Sequence, residues 1–208
     1  VNIINPLISV DKPVRDQDIE VNFGYATSGG ELKTALKFGK TIDNFTVRGA
    51  GSFLSSGPYE LANVSTQQPN SSKFMSSGGI GLTYSDGENL FGVSLDKLEA
   101  TYSLPGSEGE ENLTSLNPTR NTISFRSSIS LNNNFFEKLN AEGTVSEYSH
   151  AERTGAGNNH NIEFFNDAYE LKTSLNHKSL FSQNEEGLIG FHYQNKNQGA
   201  EGSEEGHL

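Results

Sequence analysis

Three acidic side chains within four residues form the densest group of potential ligands in this sequence. Glu108, Glu110 and Glu111 lie in the stretch YSLPGSEGEENLTSLNP, which runs from Tyr102 to Pro118. Carboxylate oxygens bind hard cations, and together with imidazole nitrogens they also bind Zn²⁺. The stretch lacks the Asp-x-Asp-x-Asp-Gly order of a calcium loop. A solvated surface loop is therefore the competing interpretation.

The histidines and the end of the chain supply a second group of potential ligands. None of the 5 histidines has a tight zinc spacing such as His-x-x-x-His. If the polar segments that carry these residues converge at one rim of the fold, they form a mixed metal site. The eight candidates are Glu108, Glu110, Glu111, His150, His160, Glu204, Glu205 and His207. The metal would be transported zinc or another metal ion, and we expect no resident cofactor.

Motifs for enzymatic chemistry are missing from the sequence. It contains no Gly-x-Ser-x-Gly and no P-loop, and no dinucleotide-binding pattern in a strand-to-helix context. The absence of cysteine excludes a thiolate metal site and a cysteine nucleophile. The net charge of -11 argues against nucleic-acid binding, which depends on basic patches. These observations predict that the chain is not an enzyme.

Apolar residues recur at every second position along most of the chain, as in Ile19, Val21, Phe23 and Tyr25. This period of two is typical of β-strands with one apolar face, and about nine such segments follow a first short one. Helical periodicity is unconvincing throughout. Hydrophobic residues make up only 33% of the chain, and no run of 18 apolar residues could form a transmembrane helix. The sequence therefore predicts an all-β fold.

The connections between these segments alternate between short and long. Because every second connection of an antiparallel meander lies on the same side, one rim would carry short turns and the other long polar loops. Outer-membrane barrels have this asymmetry. The exception is Gly29-Gly30, a short turn on the rim of long loops. Aromatic residues near strand ends suit the aromatic girdles at the two membrane–water interfaces of such barrels, although aromatic residues also favour strands in general. The aromatic residues near strand ends are Phe53, Phe74, Tyr84, Tyr102, Phe136, Tyr148 and Tyr193.

Three segments resemble TonB-dependent outer-membrane receptors, in particular the branch associated with zinc and haem uptake. VNIINPLI (Val1–Ile8) is similar to the strand that ends the plug domain of that family. YSLPGSEGEEN (Tyr102–Asn112) is similar to a strand exit followed by a charged extracellular loop. GLIGFHYQNKNQGAEGSEEGHL (Gly187–Leu208) is similar to a later barrel strand that leads into a loop. The resemblance covers essentially the whole chain.

The resemblance implies an internal fragment of such a receptor. Residues 1–10 would end the plug domain, and residues 11–208 would form the N-terminal part of the barrel. The expected fold is an antiparallel transmembrane β-barrel meander, present as a partial, open barrel of about nine strands in the bacterial outer membrane. The implied function is uptake of a scarce nutrient such as a metal ion or metal chelate. The implied partners are outer-membrane lipid, a small ligand and, through a missing N-terminal region, the TonB complex.

Two other architectures also fit the strand pattern. A soluble or surface-attached β-sandwich would bind carbohydrate or act as an adhesin module, and would need a closed hydrophobic core. A small closed barrel with a structural or porin-like role would need its first and last strands to pair. The three hypotheses therefore differ in what covers the apolar face and in how the sheet ends.

Overall fold

The strands of this chain form one antiparallel sheet in which each strand pairs with the next along the chain. A computed structural model describes residues 7–9, 17–61, 67–105, 114–131, 133, 135–154, 160–178 and 187–204. The strands are β1 (Gln17–Ala26), β2 (Glu31–Ile42), β3 (Phe45–Ser56), β4 (Lys73–Ser85), β5 (Leu90–Leu104), β6 (Thr114–Ser130), β7 (Phe136–Thr154), β8 (His160–His177) and β9 (Gly187–Glu204). This confirms the all-β, nine-stranded meander.

The sheet is open in the part of the chain that the structure describes. There, β1 pairs only with β2 and β9 pairs only with β8. The closed small barrel, which required the first and last strands to pair, is therefore not the arrangement found. Within the same ranges, no helix has the length and apolar character needed to cross a membrane. A single turn of 3-10 helix, Ser28–Gly30, joins β1 to β2.

The predicted sorting of connections by length holds for β2 to β6 and fails after β7. Only residues 155–159 separate β7 from β8, whereas residues 178–186 separate β8 from β9. The loop predicted to end at Pro118 is also shorter than expected, since β6 begins at Thr114. The strands on this side of the sheet extend into segments whose polar composition resembles that of loops.

The two faces of the sheet are distinguished by a short N-terminal segment. Leu7, Ile8 and Ser9 lie buried against one face, which we call the inner face, and the opposite face is the outer face. The Ser9 N–H donates a hydrogen bond to the Thr83 hydroxyl at 3.0 Å. The short strand predicted over Val1–Ile8 is wrong for its last two residues, which form a turn and a bend. The remainder of that stretch lies outside the described residues.

Glycines make room for this segment on the inner face. A Cβ atom at Gly81 would overlap the backbone of Leu7, and one at Gly92 would overlap the side chain of Ile8. Both glycines lie in the middle of strands, where glycine normally weakens a strand. Close approach of another part of the chain explains why small residues occupy these positions.

The apolar residues of the sheet lie mainly on the outer face, where no other part of the described chain covers them. Val21 is 71% exposed, Val93 55% and Phe191 60%. The buried hydrophobic residues are few and belong to the inner face or the N-terminal segment: Leu7, Ile8, Leu90, Ala100 and Leu116. The described chain therefore has no closed hydrophobic core of the kind that the β-sandwich hypothesis required.

We expect the stability of the turn between β4 and β5 to depend on pH, because a carboxylate accepts hydrogen bonds there. The backbone N–H of Asn89 donates to the Asp86 carboxylate at 2.7 Å, and the Asn89 amide and the Glu88 N–H also donate. These bonds lower the pKa of Asp86. Because the folded pKa is depressed, the stabilisation is present above the unfolded pKa of about 3.9 and is lost as pH falls through the folded value.

Hydrogen exchange tests this expectation. Amide protection in the wild-type turn should decrease as pH falls from about 4 to about 2, after correction for intrinsic exchange rates. An Asp86→Asn variant keeps an acceptor oxygen but does not titrate, so its protection should remain constant over that range. Equal pH dependence in the two proteins would contradict the role given to this carboxylate.

Candidate functional site

The apolar band on the outer face moves along the strands from β1 to β9. It covers Ile19–Tyr25 on β1 and Ile189–Tyr193 on β9. Following the direct strand partners of Ile19 across the sheet from β1 leads to Asn195 on β9. The same path from Tyr25 leads to Glu201. The apolar band on β9 therefore lies six residues from the register partner of Ile19 at one edge, and eight residues from that of Tyr25 at the other. This displacement accumulates over eight steps from strand to strand.

This displacement corresponds to strands that are inclined to the band. With about 3.3 Å per residue and 4.8 Å between strands, it gives an inclination of roughly 30°. Strands of outer-membrane barrels are tilted by about 35–45°, so a level apolar band on such a barrel must cross the register in this way. An apolar face that runs level with a lipid layer explains the displacement directly.

Aromatic pairs mark both edges of the band on β3 and β4. The rings of Phe45 and Tyr84 are 5.2 Å apart at the edge near the short turns, and those of Phe53 and Phe74 are 5.3 Å apart near the opposite edge. Phe53, Phe74 and Tyr84 were predicted to lie in such girdles, whereas Phe45 was not. The register places Tyr102 and Tyr148 on the inner face, so the girdle prediction is wrong for these two.

Behind the apolar band, the inner face is charged. Nine of the 15 basic residues occupy inner-face positions: Lys33, Lys37, Arg48, Lys73, Arg120, Arg126, Lys138, Lys172 and Lys196. Several form ion pairs. Arg126 lies 3.2 Å from Glu142, and Glu170 lies 2.6 Å from Lys172 and 2.9 Å from His192. A face with this many charges fits a water-filled lumen and does not fit a protein core.

The outer face becomes polar beyond the band, on the side of the β5–β6 connection that carries Glu108, Glu110 and Glu111, which we call the acidic loop. Just beyond the last apolar row of the outer face, one row of strand partners is entirely polar. It consists of Lys97, Asn121, Glu147, Asp167 and Asn197. On the inner face at that level, apolar and aromatic residues lie among charged ones such as Lys73 and Arg120. The apolar and aromatic residues are Leu98, Ala100, Tyr102, Leu116, Pro118, Tyr148 and Phe164. The strands therefore continue into a region where water contacts the outer face.

A cleft lies within this inner-face patch, formed by Tyr148, His150, Phe164, Asn166 and Gln198. The register holds these side chains together, because Asn166 lies directly between Tyr148 and Gln198 on neighbouring strands, and His150 lies opposite Phe164. The imidazole of His150 stacks on the Phe164 ring with centroids 4.6 Å apart and planes inclined by 13°. The Tyr148 ring lies 5.7 Å from the imidazole.

Two polar atoms in the cleft are buried without a hydrogen-bond partner among the described residues. They are Nδ1 of His150 and Oδ1 of Asn166. An unpaired buried polar atom costs roughly 1–3 kcal/mol, so such atoms are rare in folded proteins and call for an explanation. The other ring nitrogen of His150 lies 3.6 Å from a carboxylate oxygen of Glu152.

The predicted metal site is only partly within the described residues. His150 is described, and no group of three or more metal-binding side chains surrounds it or any other described residue. His160 and Glu204 are direct register partners at the far ends of β8 and β9, which is the only pairing of two candidates that the described backbone shows. Glu108, Glu110, Glu111, Glu205 and His207 lie outside the described residues.

Asn70 anchors the base of the acidic loop. Its side-chain amide donates to the backbone carbonyl of Leu104 at 2.8 Å and to that of Thr114 at 3.0 Å, so it bridges the residues on either side of the loop. Asn70 itself has a φ of 57°, a left-handed conformation that asparagine adopts more readily than most residues. The anchor therefore connects the β3–β4 connection to the strands β5 and β6.

An Asn70→Gly variant should loosen the acidic loop without straining the backbone. It removes two hydrogen bonds of about 1 kcal/mol each, while glycine accepts the positive φ. We expect cleavage by a nonspecific protease between residues 106 and 113 to become roughly ten-fold faster or more. Asp43→Gly is the matched control, because Asp43 has a φ of 53° in the β2–β3 turn. Cleavage at the wild-type rate in Asn70→Gly would contradict the anchoring role.

Comparison with known proteins gives a likeness at the level of fold. No family model matches the sequence, and no curated protein matches it either. Among solved structures, the chain is similar to OmpTdeltaL8, a loop L8 deletion mutant of OmpT, an outer membrane protein of Vibrio cholerae. The TM-score is 0.42 and the identity 11%; the match covers 89% of this chain and 60% of that one. The chain thus spans about three fifths of the length of that protein.

The prediction that this chain is not an enzyme is not kept. It rested on missing sequence motifs, and the solved structure that the chain resembles, OmpT, gives it no support. The narrower observation about motifs stands, since the sequence contains neither a Gly-x-Ser-x-Gly nor a P-loop.

Proposed function

We propose that this chain forms part of the wall of an outer-membrane β-barrel. The observation that carries the proposal is the exposed apolar band, which crosses the strand register at the inclination expected for a tilted barrel wall. The charged inner face and the aromatic pairs at the band edges support the same conclusion. In lipid, both edge strands must find partners, so further strands must complete the barrel.

Within this proposal, the finer assignment is a TonB-dependent receptor that takes up a scarce nutrient. It is supported by the resemblance of the three sequence segments and by the position of Leu7–Ser9 against the inner face. Residues 1–10 would then end a plug domain. Long loops would capture the nutrient outside the cell, and energy delivered through the TonB complex would open a path along the lumen.

A metal ion or metal chelate is the nutrient that the acidic segments favour, because clustered carboxylates attract cations. The inner face is more balanced, with its nine basic residues. Selection of a cation would therefore depend on the loops that carry Glu108, Glu110 and Glu111. Changing these three residues to Gln should weaken zinc binding to the intact protein in calorimetry, and unchanged affinity would remove them from the site.

Uptake measurements test the assignment as a receptor. Deleting the gene in its host should reduce accumulation of labelled zinc or haem iron at limiting concentration, and removing TonB should have the same effect. Restoring the gene should restore uptake in the presence of TonB only. Accumulation that does not change in either deletion would contradict the receptor, while leaving the barrel itself to be tested separately.

A further inference from the structure

We propose that the cleft of Tyr148, His150, Phe164, Asn166 and Gln198 binds a neutral saccharide at the lumen wall. The inference rests on the proposed barrel, since it places the cleft on an inner face that water can reach. It begins with the position of aromatic residues. Tyr102, Tyr148 and Phe164 are the three aromatic residues that the described strands place on the inner face, and all three lie in the patch beyond the apolar band.

Neither lipid nor a hydrophobic core explains these rings. Lipid contacts the other face, and the inner face carries ion pairs a short distance along the same strands. The rings of His150 and Phe164 are stacked, and Tyr148 is tilted against them, so their edges and faces form a semi-rigid platform. The apolar C–H face of a pyranose ring packs on such a platform, as nucleobases and other flat ligands do on aromatic side chains.

The two unpaired atoms define the polar half of the ligand. Asn166 Oδ1 is an acceptor, and Nδ1 of His150 is the second unpaired atom. In the tautomer with its proton on Nε2, the nitrogen nearer Glu152, Nδ1 is an acceptor too. The cleft thus presents two acceptors that lack donors. Hydroxyl groups on adjacent carbons of a sugar supply two donors next to an apolar ring face. Gln198, which lies opposite Asn166 on β9, is the exposed side of the cleft.

A metal ion fits the cleft less well. His150 and Asn166 offer one nitrogen and one amide oxygen, and the described residues around them do not complete a set of three metal-binding side chains. The residues that line the cleft include no lysine or arginine to pair with an anionic ligand. Arg120, opposite Tyr148 on β6, lies 3.8 Å from the Asp96 carboxylate. A neutral, hydroxylated ligand matches both facts.

Binding to the intact protein in detergent micelles tests the proposal. Glucose, galactose, N-acetylglucosamine and maltose are the probes, and saturation-transfer NMR is the measurement. At least one of them should bind the wild type. Asn166→Leu and Tyr148→Ala should weaken that binding by roughly ten-fold or more. Asn197→Leu makes the same asparagine substitution one residue from Gln198 but on the outer face, and should leave binding unchanged.

Stability separates a ligand-binding residue from a structural one. Asn166→Leu removes a buried, unpaired acceptor, so it should melt at the wild-type temperature or above it even though it loses sugar. The proposal is overturned if none of the four sugars binds, if Asn166→Leu binds as the wild type does, or if that variant melts well below it. A protein that fails to migrate as a heat-modifiable barrel contradicts the barrel, whereas a barrel that binds no sugar contradicts this inference alone.

Discussion

A Phe191→Arg variant is expected to be severely impaired in assembly into a membrane. Phe191 lies at the centre of the apolar band on β9 and is 60% exposed on the outer face. If that face contacts lipid, a guanidinium there must leave water for the middle of the bilayer. The cost for arginine or lysine at the midplane of a barrel is about 2–4 kcal/mol. The folded fraction after refolding into lipid vesicles, read as heat-modifiable migration on a gel, measures this effect.

His192→Arg provides the control on the opposite face. It adds a positive charge one residue further along β9, where the side chain points to the inner face and already lies 2.9 Å from the Glu170 carboxylate. An arginine keeps that ion pair, so assembly should proceed as in the wild type. If the two variants assembled equally well, the outer face would not be the lipid-facing one.

A Gly49→Ala variant is expected to destabilise the folded sheet by about 1–3 kcal/mol. Gly49 lies directly opposite Phe38 on the outer face, and a Cβ atom there would overlap the aromatic ring. The ring covers the backbone that glycine leaves bare, and it would have to move into a less favourable rotamer. The same arrangement recurs at Phe125 over Gly143. Urea unfolding of the protein in lipid vesicles measures the change.

Gly51→Ala is the matched control, two residues further along the same strand and on the same face. A Cβ atom at Gly51 would meet its nearest neighbour, the carbonyl oxygen of Ser77, at 3.6 Å, an ordinary contact. Alanine in a strand interior is also favoured over glycine by roughly 0.5–1 kcal/mol. Gly51→Ala should therefore be neutral or slightly stabilising. Equal destabilisation by both substitutions would mean that the Phe38 ring does not cover Gly49.

The existence of the strands could be predicted from the sequence, because alternation needs only neighbouring residues. Their lengths could not be predicted equally well. On β6, β7 and β8 the strand continues past the apolar band into polar residues, so Thr114 and the residues before Pro118 resemble a loop in sequence. Pro118, which lacks an N–H, also suggested the end of a loop, yet it lies within β6. Hydrogen bonding to neighbouring strands, which the sequence does not display, decides these boundaries.

The displacement of the apolar band depends on the register between strands, which a single sequence does not contain.

The cleft could not be predicted from the sequence for a related reason. Phe164 and Phe165 are adjacent, so one must face inward, but the sequence alone does not say which. His150 was predicted as a metal ligand through its place in a polar segment, whereas the ring stacked on it, Phe164, comes from β8 and the cleft also includes Gln198 of β9. An aromatic residue at an inner-face position beyond an apolar run is the pattern that could have indicated the site.

The most direct test of the barrel wall is a lipid-contact scan along β8. The sequence contains no cysteine, so single cysteines introduced at positions 163 to 175 can each carry a fluorophore. Nitroxide-labelled lipids should quench the probes at 169, 171, 173 and 175, and should leave those at 168, 170, 172 and 174 bright. The probe at position 167, where the outer face first becomes polar, should also stay bright. Quenching at the even positions, or none at all, would contradict a lipid-facing outer face.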